Sequence, residues 1–162
     1  MAILNQNLDF NTIKPEYQRA FQGRPTKELF QPGEQFYRLI TANQNHNTPA
    51  AWWYTKATFK ELTRMAHAFN KSVPEIARSP LAVTREWNKE MNMLSIIQLN
   101  EPVFALKGLI SAQPLNEGDN SILLMGGLEQ VYMPGLASRE QPYNGQYART
   151  VYFGQLDRAV EV

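Results

Sequence analysis

Three short stretches hold the side chains best suited to chemistry. The first is Gly126-Gly127-Leu128-Glu129-Gln130-Val131-Tyr132-Met133-Pro134. A glycine pair lets the backbone take positive φ or pass close to a bulky neighbour. Glu129 and Gln130 then stand at the mouth of a strand-like triplet, where a fold can offer an acid or an amide to a ligand. A hairpin turn with solvated polar residues would use the same letters. The second stretch is Gln35 to Ile40, with Arg38 among aromatic and aliphatic neighbours. A guanidinium on a strand either keeps its head in water or must be paired. In the paired case it can grip a pyrophosphate bidentately. The third is Ala51-Trp52-Trp53-Tyr54-Thr55. Consecutive aromatics on a strand alternate faces. They supply core plus one surface ring, or a flat platform for a ligand ring.

The elements that must carry these groups follow from periodicity and punctuation. Pro32-Gly33 marks a turn ahead of the Arg38 strand. The Asn-rich segment 41–50, with His46, reads as a loop. Thr58-Phe59-Lys60-Glu61 has the form of a capping box, and Phe59, Leu62, Ala66 and Phe69 recur at helical spacing, which predicts a helix over 58–70. Ser72-Val73-Pro74-Glu75 predicts a second, short helix ending before Pro80. Val83, Trp87, Met91 and Leu94 continue a helical pattern, and Ser95 to Leu99 either closes that helix or forms a strand. Val103 to Ala112 reads as a strand with a bulge or a close approach at Gly108. Residues 114–120 read as a polar loop, 135–146 as another, and Tyr147 to Phe153 as a final strand. Residues 1–35 are polar and broken by proline, so they read as an arm or a linker remnant, with one domain over 36–162. Strand, helices, then several strands is the order of an α+β domain.

Composition narrows the classes. With 162 residues and 43% apolar content, the chain can build one real core. A formal charge of +1 gives no long-range pull toward nucleic acid or an anionic membrane. The chain has no cysteine and two histidines in unrelated contexts, so no metal site is expected. No apolar run nears the ~20 residues that span a bilayer. The first residues lack the form of a secretory signal, so export would need a specialised secretion system or a larger parent chain. Walker, dinucleotide-fold and serine-elbow motifs are absent.

The turn at Glu129-Gln130, with Val131 and Pro134 behind it, resembles the last motif of the ADP-ribosyltransferase-like superfamily, in which a turn carries Glu or Gln into a strand. Phe36-Tyr37-Arg38-Leu39 resembles that superfamily's first strand. Trp52-Trp53-Tyr54-Thr55 resembles its aromatic strand, with Thr55 where a serine is usual. The resemblance implies a split β-sheet core with helices inserted between the early and late strands. It implies NAD as the substrate, cleaved in a cytoplasm by a toxin or effector domain. In that reading Arg38 holds the phosphates, the aromatic strand with Thr55 binds the nicotinamide end, and Gln130 orients the ribose. A neutral amide cannot act as a general base, so Gln130 points to hydrolysis to nicotinamide and ADP-ribose. If Glu129 is the residue in the cleft, a mono-ADP-ribosyltransferase with a protein or nucleic-acid acceptor follows instead. Adjacent strand residues face opposite sides, so only one of the two can point inward. The resemblance also implies a neutralising immunity protein as a partner. Two other classes stay open: a non-catalytic binding or immunity-type protein, and a ribonuclease using His46 and His67.

Overall fold

The computed structural model describes residues 2–40, 51–81, 91–116, 119–136 and 145–156. It is an α+β fold. Among the described residues there are nine strands: β1 (Thr26–Phe30), β2 (Gln35–Ile40), β3 (Trp52–Thr55), β4 (Met93–Leu99), β5 (Val103–Leu109), β6 (Gln113–Asn116), β7 (Asp119–Leu124), β8 (Glu129–Tyr132) and β9 (Ala148–Gln155). The helices are α1 (Pro15–Arg19), α2 (Lys56–Phe69) and α3 (Val73–Ala77). Seven strands form an antiparallel sheet in the order β1-β5-β8-β3-β2-β4-β9, and β6 and β7 make a separate hairpin.

The sheet changes partners within β3. Trp52 and Trp53 pair with Tyr132 and Val131 of β8, whereas Tyr54 and Thr55 pair with Tyr37 and Phe36 of β2. Each half of a four-residue strand therefore belongs to a different half-sheet. Thr55 then leaves the sheet as the N-cap of α2, its Oγ1 accepting the Thr58 N–H at 3.2 Å. Capping by Thr55 moves the helix start forward of the expected Thr58. At the far end Asn70, in the left-handed region at φ 52°, stops the helix, as a C-terminal left-handed residue does. Ser72 and Glu75 form the anticipated capping box of α3.

Among the described residues, three apolar clusters fill the faces. Phe59, Leu62 and Ala66 of α2 pack on Tyr37, Leu39, Leu94 and Ile96. Trp53, Val131, Phe36, Ile97, Val103 and Ala105 pack between the half-sheets. Phe21, Leu106 and Tyr132 pack beneath the N-terminal segment. Phe69, which shares the spacing of the α2 core residues, is 65% exposed. It lies in the last turn, beyond the sheet.

Some expectations change. Residues 26–30, read as irregular, form β1 because Thr26 to Phe30 pair along β5. The segment read as a loop at 114–120 carries the ends of the β6–β7 hairpin. Met93 to Leu99 is a strand, since its alternating residues line the two inner clusters. The strands of Arg38 and Gln130, β2 and β8, are not neighbours; β3 lies between them. His46, the Asn-rich loop and the helical pattern at Val83 and Trp87 lie outside the described residues.

Candidate active site

The Gly126-Gly127 turn owes its shape to two strands of backbone contact. Gly126 has φ 68°, and a Cβ there would lie 2.4 Å from the Ile110 carbonyl oxygen, a distance no side chain can hold. Its N–H donates to the Ser79 carbonyl at 2.7 Å, and the Gly127 N–H donates to Ile110 at 2.9 Å. The turn is thus wedged between the end of β5 and the segment after α3. It delivers Glu129 and Gln130 into β8, opposite Leu109 and Gly108.

Strand alternation then separates the two polar residues. Val131 and Trp53, a cross-strand pair, are both fully buried between the half-sheets. Glu129 shares their side, half-exposed, with its carboxylate 3.8 Å from Lys107 Nζ. Lys107 also meets Glu28 at 3.3 Å. Gln130 is on the other side, with Tyr132. It is 7% exposed, and its Nε2 donates to the Ala20 carbonyl at 2.9 Å.

Arg38 lies on the side of Trp53, with its guanidinium carbon 5.9 Å from the Trp53 ring centre. Such a contact holds a cation over an aromatic face. Across β4 its partner is Ser95, which is 1% exposed and whose hydroxyl has no hydrogen-bond partner; the Thr150 hydroxyl is likewise buried and unpartnered. Neither hydroxyl is marked by a local pattern, because only the register sets Ser95 beside Arg38. Tyr54, one residue after Trp53, has its phenol pushed up to about 12 by burial, with the Arg38 charge pulling the other way.

The aromatic strand divides its side chains. Trp53 is fully buried beneath Arg38. Trp52 sits among Tyr17, Phe21 and Tyr132, with ring centres 5.9, 5.5 and 4.8 Å away. Tyr54 packs against the α2 cluster. Thr55 caps α2 and lines a cavity of about 490 Å³ with Phe36, Glu34 and Lys56. The first turn of α2 reaches back to the catalytic candidates, since Thr58 Oγ1 donates to the Glu129 carbonyl at 3.2 Å. Arg38, Trp53, Thr55 and Glu129 thus lie on one side of the sheet near its split, with Tyr54 and Gln130 on the reverse side. A larger cavity of about 600 Å³ lies elsewhere, between His67, Lys71, Asn92 and Gln155. It is lined by His67 and by none of the residues that the resemblance assigns to NAD. Among the described residues no cluster of His, Asp and Glu could hold a metal ion, and no helix is long and apolar enough to cross a membrane.

The arrangement is that of an α+β domain whose antiparallel sheet splits at a short central strand. Among solved structures the chain is similar to Rhs1-CT in its complex with the cognate immunity protein RhsI1, at 11% identity and a TM-score of 0.52, covering 80% of each chain. It is also similar to Tne2 in complex with Tni2, at 15% identity and a TM-score of 0.48, over 84% of this chain and 96% of that one. The similarity to Tse6 in complex with Tsi6 has 16% identity and a TM-score of 0.40, over 90% and 85%. The likeness to Rhs1-CT is one of fold. No family model and no curated protein matches the chain.

Proposed function

We propose that this domain is an effector that cleaves NAD, in a cytoplasm, to nicotinamide and ADP-ribose. The observation that carries the reading is Arg38, seated on Trp53 at the split of the sheet, one strand away from the strand of Glu129 and Gln130. A guanidinium can grip a pyrophosphate with two charge-assisted hydrogen bonds. The bond between the ribose C1′ and the nicotinamide nitrogen breaks, and its electron pair leaves with nicotinamide. Water oxygen bonds to C1′ and releases a proton to solvent. An oxocarbenium-like centre needs little base help, so hydrolysis needs no carboxylate from the turn. The fold likeness to Rhs1-CT, a protein solved with a cognate immunity protein, supports the effector reading and an immunity-type partner.

A second reading has its own support. Glu129 is the polar residue of the turn on the side of Trp53 and is half-exposed. A carboxylate there can deprotonate an acceptor, which would make the domain a mono-ADP-ribosyltransferase. The deciding experiment uses purified protein with radiolabelled NAD. Hydrolysis is expected, with nicotinamide and free ADP-ribose released in equal amounts. Label captured on a macromolecule would select the transferase, and intact NAD at saturating concentration would remove both.

A further inference from the structure

The cavity of about 600 Å³ lies between the end of α2, the start of α3 and the pair Met93–Gln155 that ends the β4–β9 ladder. We propose that it binds a small organic acid with an aliphatic body and a carboxylate head. The chain builds the cavity at a reversal. Asn70, in the left-handed region, turns the backbone so that the Lys71 N–H donates to the Ala66 carbonyl at 2.9 Å. His67 and Lys71 then line the same space. Ser72 caps α3, and Val73-Pro74 lead that helix away. On the opposite wall the Leu156 N–H donates to the Asn92 carbonyl at 3.0 Å. Thr55, at the other end of the 14-residue α2, is roughly 20 Å from this reversal.

The lining sets the class of ligand. Ala66, Val73 and Leu156 are buried and make an apolar floor. Among the described residues no Phe, Tyr or Trp ring and no arginine lines the cavity. It therefore offers a base or a nicotinamide no stacking platform, and a pyrophosphate no guanidinium fork. Its volume is in the range of small-molecule sites. The charge is one-sided. His67 and Lys71 are exposed, so a ligand can reach them, and among the described residues no carboxylate lines the cavity. Glu75, the acid of α3, is turned back to the Ser72 N–H at 3.3 Å. The carbonyls of Ala66 and His67, at the end of α2, are already taken by the N–H groups of Lys71 and Asn70. An aliphatic body on the floor leaves water, while a carboxylate at the mouth meets the Lys71 ammonium.

The full chain is titrated with decanoate, decanol and decyltrimethylammonium, each below its micellar concentration. Decanoate is expected to raise the melting temperature and to shift the His67 ring signals, which are assigned by their loss in His67→Gln. Decanol is expected to bind about 10-fold more weakly, and decyltrimethylammonium not to bind. Lys71→Glu changes an exposed side chain, so the ligand-free melting temperature is expected to stay at the wild-type value. In that variant decanoate is expected to bind on the order of 10-fold more weakly, with decanol unchanged. Thr63→Trp, which sets a large ring into the cavity from α2, is expected to abolish binding of both; if it fails to fold, Lys71→Glu decides alone. Equal affinity for the three probes would show a nonspecific apolar surface, and shifts that spare His67 would place binding elsewhere. Either result, no binding of decanoate, or unchanged decanoate affinity in Lys71→Glu overturns the proposal. None of these readouts depends on NAD cleavage.

Discussion

At the scale of single residues, the two neighbours in the turn have separate surroundings, so their substitutions separate too. Gln130→Ala removes an oriented acceptor, and loss of one such contact costs roughly 100-fold or more in rate. NAD turnover is expected to collapse while circular dichroism stays native, and Glu129→Ala is expected to do much less. An inactive Glu129→Ala beside an active Gln130→Ala would reverse the assignment and favour transfer. Arg38→Ala is expected to raise the KM for NAD, checked by steady-state kinetics against its melting temperature. Tyr54 gives a prediction in pH. Its folded pKa of about 12 lies above the ordinary value of 10, so burial favours the neutral phenol. That contribution is complete below pH 10 and is lost as pH rises toward 12. Tyr37 and Tyr132 are raised by burial as well and act in the same direction. Chemical denaturation across this alkaline range is expected to show falling stability, with a shallower fall in Tyr54→Phe.

At the scale of elements, the Gly126-Gly127 turn and the caps of the helices are the sharpest local requirements. Gly126 combines positive φ with the 2.4 Å approach to Ile110, whereas a Cβ at Gly127, with φ 99°, meets open space. Gly126→Ala is expected to cost more than about 1 kcal/mol and to cost more than Gly127→Ala in urea titration. Equal losses would mean that φ alone sets the cost. Thr55→Ala is expected to cost about 1 kcal/mol through loss of the α2 cap. Because Thr58, in the first turn of α2, also bonds the Glu129 carbonyl, the same change is expected to lower NAD turnover by more than the stability loss explains.

At the scale of the whole molecule, β3 joins the two half-sheets through alternate pairs of residues. Neither half can lose β3 and keep its order, so unfolding is expected to be one transition. Leu62, fully buried in the α2 cluster, provides the check. Leu62→Ala is expected to cost 2–5 kcal/mol, as a core truncation to Ala typically does. Tryptophan fluorescence, to which Trp52 and Trp53 of β3 contribute from outside the α2 cluster, should shift its midpoint together with far-ultraviolet circular dichroism. Two separated midpoints would mean that the half-sheets unfold independently.

The sequence by itself determined the α+β class, the strands at Arg38, Trp52 and Val131, α2 and the capped start of α3. These are local signals: alternation, helical spacing and cap chemistry act over a few residues. It also marked Gly108 and the Gly126-Gly127 pair as places where backbone comes close. It did not show what comes close, because Phe21 and Ile110 reach those glycines through pairing between distant segments. β1 was hidden for the same reason, since Thr26 to Phe30 is a weak pattern that becomes a strand only against β5. The unpartnered Ser95 hydroxyl beside Arg38 follows from register across β4. The separation of Glu129 from Gln130 is a two-residue alternation that any strand would give. Only the tertiary structure decided which side meets Trp53 and which meets the Ala20 carbonyl, because that depends on how β8 pairs between β5 and β3.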